Sequence, residues 1–452
     1  MLQKNQLIDL TVTAMSAEGS GIGRAPDGMA VFVPFTAVGD TLRVRIVKVQ
    51  KTMAFGIVDE IVTPSAHRIA ADCPVFGKCG GCVYGHITYE EELRLKRQRV
   101  ADAVERIGGL SLEAEPIIGC DSPWRYRNKA QYPVTQGENG VKIGFYAARS
   151  HRVVENRDCL LQPPCFETVI RTVEEWMNEY RIEPYDESTH RGLIRHVYLR
   201  IGQVSGEVMV CLVATSGKVP HTDTLVDRLK TAVPAVRSVC VNVNRRDTNV
   251  VLGDTTFALY GEPYVTDTLC GMQFRLSPQS FYQVNHDGAE RLYRKAREEA
   301  ALCGRETVLD LYCGTGTIGL SMADAAGTII GVEVVEAAVR DAEENARQNG
   351  VTNARFIAAD AGEAAAQLER EGVRPDVVVI DPPRKGCSPD VIDTIVRMAP
   401  DRVVYVSCDP ATLARDLKLF AERGYITERV TPVDMFPRTA HVESVARLSK
   451  KG

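Results

Sequence analysis

The run Thr307–Leu320, TVLDLYCGTGTIGL, decides how the last third of the chain is read. An apolar strand pattern empties into a glycine-rich turn, and the turn opens a helix pattern reaching Asp324. A nucleotide-type α/β unit begins in this way. The alternation then repeats outward. TIIGVEVV, ARFIAAD, DVVVIDPP and RVVYVSC read as strands, separated and followed by the helix patterns AAVRDAEENARQNG, EAAAQLEREG, PDVIDTIVRMA and TLARDLKLFAERG. A parallel, doubly wound sheet is predicted. The end, ITERVTPVDMFPRTAHVESVARL, carries two further strand patterns, expected as an antiparallel hairpin at the sheet's edge.

Gly314–Gly319 satisfies G-x-G-x-x-G, which alone is a weak pointer to a nicotinamide dehydrogenase. Two features speak against that reading. Asp310 lies inside the strand just before the glycines, and a candidate reactive group, Cys408, lies in the same α/β unit. Cys408 leaves its strand in VVYVSCDPATLARDL (Val403–Leu417), at the end of the sheet where ligands bind. Asp381 ends another strand and is followed by two prolines, a rigid corner that holds a carboxylate outside the strand end.

Upstream, the chain changes character. Residues 7–61 alternate short β-rich runs with glycine turns, which predicts a small closed barrel of OB-like size, with Arg43, Arg45, Lys48 and Lys51 between apolar positions. Such barrels bind single-stranded nucleic acid through a basic face with aromatics. CPVFGKCGGC then gives Cys73-x5-Cys79-x2-Cys82, and Gly80 and Gly81 let the chain curl. Cys159 is the best fourth ligand, with Cys165 and Cys120 in reserve; four thiolates suit an iron–sulfur cluster or structural zinc. A helix over Glu90–Ile107 and a β-rich middle follow, where Arg125, Arg127 and Lys129 are expected on one face of a strand. RLSPQSFYQVN joins this region to the α/β unit, and Gln283 offers it both a donor and an acceptor.

The 452 residues imply two or three domains. A net charge of −5 announces no global nucleic-acid signature, though a local basic face is compatible with it. No run reaches membrane-spanning length, and MLQKNQLIDL lacks the core of a signal peptide, so a cytoplasmic protein without a membrane partner is expected. Thirteen cysteines in such a compartment read as metal ligands or catalytic groups, not as disulfides.

GSGIGR…GMAVFVPFTAVGD resembles the TRAM domain, an RNA-binding module. CPVFGKCGGC…YEEELRLKRQRV, YRNKA, DPPRKG, SCDPATLARDL and HVES together resemble RNA uracil-5-methyltransferases, in the form that carries a TRAM domain and a 4Fe–4S cluster and acts on 23S ribosomal RNA. The resemblance covers essentially the whole chain. It implies a TRAM barrel over residues 1–62, a β-rich central domain with the cluster segment over 63–280, and a class I S-adenosylmethionine (SAM) methyltransferase domain over 281–452. It implies a 4Fe–4S cluster on Cys73, Cys79, Cys82 and Cys159, with a structural role. Cofactor contacts would fall to Gln283, Tyr312, Glu333, Asp360 and Asp381. Thr317 stands where the family often has asparagine.

The implied reaction explains the residue types. Carbon 5 of uracil is a weak nucleophile until a thiolate adds to carbon 6. Cys408 would be that thiolate, and Glu443 in HVES the base that removes the carbon 5 proton. His441 is the rival base on residue type alone, and Arg384 a candidate for the enolate charge. The expected partner is RNA, with ribosomal RNA favoured because tRNA-directed bacterial relatives generally lack both barrel and cluster; a monomer is expected. Two other readings are a methyltransferase acting on tRNA or cytosine and a cluster-bearing RNA-binding protein without activity.

Overall fold

The computed structural model describes residues 2–451. The N-terminal part is a closed five-stranded barrel in the order β1-β2-β3-β5-β4. Its strands are β1 (Leu7–Met15), β2 (Gly21–Arg24), β3 (Ala30–Val33), β4 (Thr41–Val49) and β5 (Met53–Thr63). Val12, Val31, Val33, Leu42, Val44 and Ile46 fill it, as the alternating pattern requires. Helix α1 (Tyr89–Arg106) follows the first three cysteines. Thr88 caps it by accepting from Glu91 N–H, and three glutamates occupy its first turn.

The middle is a seven-stranded sheet in the order β12-β11-β10-β9-β6-β7-β8. It is built from β6 (Lys129–Gly137), β7 (Gly140–Tyr146), β8 (Val153–Glu155), β9 (Ile194–Ile201), β10 (Val208–Ala214), β11 (Val236–Val243) and β12 (Thr255–Tyr260). Helices α2 (Cys165–Glu179) and α3 (Thr222–Ala232) cover one face. Only the second has a helical pattern that the sequence alone shows, in TDTLVDRLKTAV. The other face packs on the hairpin β13 (Val265–Leu269) with β14 (Met272–Leu276) and on α4 (His286–Ala300), none of which the sequence reading contained. Arg125 also departs from expectation: its φ is +61°, and β6 starts only at Lys129, so Arg125 shares no strand face with the later cations.

The last third is a second seven-stranded sheet, ordered β17-β16-β15-β18-β19-β21-β20. Its strands are β15 (Thr307–Leu311), β16 (Thr328–Glu333), β17 (Ala354–Ala358), β18 (Val377–Ile380), β19 (Arg402–Ser407), β20 (Tyr425–Val433) and β21 (Glu443–Lys450). Helices α5 (Thr317–Leu320), α6 (Glu336–Gln348), α7 (Ala361–Arg370), α8 (Pro389–Met398) and α9 (Pro410–Glu422) make the crossovers. β15 to β19 are parallel; β21 runs antiparallel between β19 and β20, so the hairpin places one strand inside the sheet. Alternate residues of the parallel strands enter opposite cores, Leu309, Ile380 and Tyr405 on one side, Val308, Val379 and Val404 on the other. The helix after the glycine turn is far shorter than predicted. Ser321 Oγ turns back onto Ile318 O at 2.6 Å, and a 3-10 turn at Ala323–Ala325 follows.

Candidate active site at the carboxyl edge of the second sheet

The chain leaves β15 toward β16 on one side and returns to β18 on the other. Ligands of such sheets bind outside the strand ends at this reversal. The predicted residues line up there: Tyr312 after β15, Glu333 closing β16, Asp360 after β17, Asp381 after β18, Cys408 after β19 and Glu443 opening β21.

The glycine turn is shaped by backbone needs. Gly316 has φ +81°, and Gly319 brings its N–H to 3.0 Å from Asp310 Oδ2, where a Cβ would stand 2.8 Å from that oxygen. Gly314 N–H donates to Glu333 Oε2 at 3.2 Å and Val335 N–H to Oε1 at 2.9 Å. Val334, 65 % exposed, and Val335 lie directly beside that carboxylate as uncovered apolar surface. Asp360 caps α7 through the N–H groups of Gly362 and Glu363. Tyr312 has φ +67°, an uncommon conformation for a non-glycine residue. Its hydroxyl reaches Cys387, whose N–H donates to Asp416 Oδ2 at 2.8 Å. Tyr405 OH donates to the same oxygen at 2.6 Å.

Gln283 and Thr317 meet at Tyr293 of α4, a residue that sequence reasoning missed. Tyr293 OH lies 3.2 Å from Thr317 Oγ1, within reach of the Gln283 side chain and near Asp381. The signal was the apolar spacing of Ala289, Leu292, Tyr293 and Ala296 on the buried face of α4.

Cys408 and Glu443 are brought together by strand register. Ser407 pairs Ser444 in the β19–β21 ladder, and the next positions outward are Cys408 and Glu443. Asp409 accepts from the N–H groups of Ala411 and Thr412 and starts α9 at Pro410, two residues before the predicted start. Cys408 is thereby held half-buried between a strand end and a helix cap. Burial, with the Glu443 and Asp381 charges, pushes its thiol up to about 11, while Arg384 opposes. Burial and Asp381 lift Glu443 to about 8 against Arg384, and burial lifts Asp381 to about 7. A cationic ligand arriving among these acids would favour their ionised forms. Cys387 is 3 % exposed, with burial and Asp416 raising it to about 12, so its surroundings are those of an inert thiol. His441 is exposed, and burial of its ring together with Arg384, Arg99, Lys96 and Arg127 lowers its pKa.

Cys73, Cys79, Cys82 and Cys159 line one cavity of about 270 Å³; Cys120 and Cys165 do not. Burial and the other three sulfurs push Cys82 up to about 12, and burial with Cys79 and Cys73 pushes Cys159 to about 11. Thiols that oppose one another's ionisation suit a positively charged metal centre. Among the described residues no three His, Cys, Asp or Glu side chains stand where they could directly hold one metal ion. Arg125 fixes the Cys159 loop: its guanidinium donates to the carbonyls of Cys159 and Gln162 and to Asp158.

Three carboxyls at the site, Asp310 and Glu443 buried and Asp381 half-buried, have a consequence for stability. Burial, with Asp381 and Glu333 nearby, lifts Asp310 to about 8 although Gly319 N–H opposes the shift. Asp310, Asp381 and Glu443 thus hold protons more tightly folded than unfolded. Their contribution is complete below about pH 4 and is lost as pH rises through about 7 to 8. The Tm of ligand-free protein should fall between pH 6 and pH 9. Asp310→Asn should flatten that fall by up to about 1.4 kcal/mol per pH unit below its titration near pH 8. An unchanged slope in Asp310→Asn would refute this account of Asp310.

Five parallel strands with an antiparallel pair at one edge, a glycine turn beside an acidic strand end and a cysteine two strand exits from that turn define a SAM-dependent methyltransferase. The model of the tRNA (uracil-5-)-methyltransferase family matches residues 260–451, and that of the TRAM domain residues 2–58. An RNA methyltransferase of Halalkalibacterium halodurans is 46 % identical over 451 residues, covering 100 % of this chain and 98 % of its own. One of Clostridium tetani is 41 % identical over 451 residues, with 100 % and 98 % covered. The crystal structure of the Pyrococcus abyssi tRNA (uracil-54, C5)-methyltransferase with S-adenosyl-L-homocysteine superposes with a TM-score of 0.78 at 27 % identity, covering 98 % of this chain and 100 % of that one. The chain belongs to the family of RNA uracil-5-methyltransferases. Because that tRNA enzyme matches nearly the whole chain, the barrel by itself does not separate ribosomal RNA from tRNA as substrate.

Proposed function

We propose that the protein methylates carbon 5 of a uridine in RNA through a covalent bond between Cys408 and carbon 6. The observation that carries this reading is the pairing of Cys408 with Glu443 beside Asp381 and Arg384. The Cys408 thiolate adds to carbon 6, and electron density moves to carbon 5. SAM supplies the methyl group that carbon 5 takes up. Glu443 removes the carbon 5 proton, and elimination restores the thiolate and the aromatic ring. Arg384 faces the charge that develops on the ring oxygen. Gln283, Tyr312, Glu333, Asp360 and Asp381 hold the cofactor, with Tyr293 setting Gln283. The division at residues 62 and 280 into barrel, central domain and methyltransferase domain belongs to the same proposal.

Ribosomal RNA is the substrate favoured by a barrel combined with a cysteine segment. The full-length likeness to an enzyme whose printed substrate is tRNA supports tRNA as the second reading. Mapping 5-methyluridine in rRNA and tRNA from cells with and without the protein decides between them. Loss from neither pool would overturn both.

Cys73, Cys79, Cys82 and Cys159 are proposed to hold a 4Fe–4S cluster. The four thiols stand round a cavity instead of meeting at a point, which suits a cluster better than zinc. Protein purified without oxygen should be brown and carry about four irons per chain. Cys159→Ser should lose them and Cys165→Ser should keep them. Colourless protein with stoichiometric zinc would reject the cluster.

The barrel would add affinity for RNA. On its β1–β4–β5 side, Arg43 is paired with Asp9 and Glu60, and Arg45 with Asp59, so the expected basic face is offset there. Elsewhere Ile22, Phe32, Phe55 and Lys48 are in register across four strands, and the two rings lie 5.7 Å apart. Bases stack on such platforms. Phe55→Ala should weaken RNA binding by about 1–3 kcal/mol without changing its salt slope. Lys48→Ala should lower the slope. Unaltered affinity in both would exclude this face.

A further inference from the structure

Segment 434–441, between β20 and β21, has no strand or helix of its own, yet most of it is buried. Backbone in that position must find partners. Met435 O accepts from Asn285 Nδ2 at 3.0 Å and Phe436 O from Lys96 Nζ at 3.1 Å. Pro437 O accepts from Tyr126 OH at 2.9 Å and Ala440 O from Arg99 Nη1 at 2.7 Å. Arg438 O accepts from the N–H groups of Val83 and Tyr84, at 2.9 and 3.2 Å. Those two residues directly follow Cys82. The segment is therefore gripped from α1, from the cap of α4, from the approach to β6 and from the cysteine loop.

Arg438 is the centre of the grip. It has φ +67°, its N–H donates to Glu92 Oε1 at 2.7 Å, and its Nη1 donates to Ile87 O at 3.1 Å. Its guanidinium lies 4.7 Å from the Trp124 ring centroid. Below it, Lys96 Nζ bridges Glu92 and Asp434 at 2.7 and 2.6 Å, all three at most 1 % exposed. Tyr89 OH donates to Asp434 Oδ2 at 2.8 Å. Ion pairs buried so deeply add little stability over an apolar core, but they fix one geometry.

We propose that segment 434–441 is a strut through which the cysteine-bearing loop sets the position of Glu443, with Arg438 as its positioning residue. This rests on the reading that Glu443 takes the carbon 5 proton. Arg438 is five residues before Glu443, and the carbonyls between are held at 438 and 440. A displacement of 82–84 is therefore passed along the chain to Glu443 with little slack. Cys408 and the cofactor residues sit on other strand ends, so a slackened strut slows proton removal and spares binding.

The test uses the full chain with its metal loaded. Arg438→Lys keeps the charge and loses the Ile87 contact; Arg99→Met releases Ala440 O together with a 3.9 Å ion pair to Asp409 Oδ2, while the Asp409 cap of α9 is made by Oδ1. Both should fold with SAM affinity and the KM for RNA unchanged. kcat should drop roughly 10- to 100-fold, the cost of misplacing a reacting group. A protein–RNA adduct resistant to denaturation should accumulate during turnover. Wild-type kcat in both variants, or loss of kcat without adduct, would overturn the strut. The link to the cysteine loop has its own readout in amide exchange. Cys82→Ser should speed exchange over 434–443, and Cys165→Ser should not; equal protection in all three proteins would also overturn it. Failure of Glu443→Gln to trap adduct would reject Glu443 as base, while the exchange comparison would still decide the mechanical link.

Discussion

Cys408→Ala should form no covalent adduct and no 5-methyluridine, a loss of at least about 10⁴-fold, the scale on which a covalent nucleophile is missed. SAM binding should persist, because the residues that would hold it end other strands: Tyr312, Glu333 and Asp360. In the ligand-free site the thiol is raised to about 11 by burial, Glu443 and Asp381. It is therefore a poor nucleophile until charge arrives, and it is protected from adventitious reaction meanwhile. The rate of adduct formation should accordingly rise with pH from 6 to 9 and rise again when SAM is bound. RNA carrying 5-fluorouridine makes the comparison sharp, since fluorine cannot leave as a cation and wild type should be trapped. Adduct in Cys408→Ala would mean another thiol attacks. Cys387, 3 % exposed and hydrogen-bonded beneath Tyr312, is poorly placed to be that thiol.

Strand–helix alternation with acids and a cysteine at strand exits was enough to read the second sheet, because each element there is a continuous local pattern. The pairing of Cys408 with Glu443 was not local. It depends on β21 entering the sheet between β19 and β20, and on a register that only the assembled ladder fixes. The strand pattern placed Cys408 at a ligand edge and family resemblance gave Glu443 its role; neither contained a distance between them. The linker reading of RLSPQSFYQVN stopped at polarity. Arg200, buried on β9, holds that stretch by the carbonyls of Ser277 and Ser280, and a buried arginine leaves no periodic trace. The alternation of Arg125, Arg127 and Lys129 failed for a related reason. Arg125 adopts a left-handed φ to clamp the Cys159 loop, a demand from 34 residues downstream. In the barrel, apolar alternation gave the core correctly, but whether a surface arginine is free depends on the strand beside it. Asp9, Asp59 and Glu60 answered that for Arg43 and Arg45.

Glu443→Gln should leave the opposite trace to Cys408→Ala. The amide is close in size and keeps the end of β21 in place, so addition of Cys408 and methyl uptake should proceed. The carbon 5 proton then has no acceptor, and the enzyme should stall as a protein–RNA complex that survives denaturation, with turnover down by about 10²- to 10⁴-fold, the range of general-base catalysis. Glu443 suits the task electrostatically. Burial and the Asp381 charge bring it to about 8, close to the pH at which it must both take and release a proton. Asp381, itself raised to about 7, shares that environment, so the pair should titrate together and the pH profile will report the pair. His441 is the weaker candidate because burial of its ring, with the charges of Arg384, Arg99, Lys96 and Arg127, disfavours the imidazolium it would have to become. His441→Ala should therefore turn over without accumulating adduct. Normal turnover in Glu443→Gln together with trapped adduct in His441→Ala would transfer the role to His441. In that case the alignment of Cys408 with Glu443 across β19 and β21 would serve only to keep the thiol protonated until substrate binds.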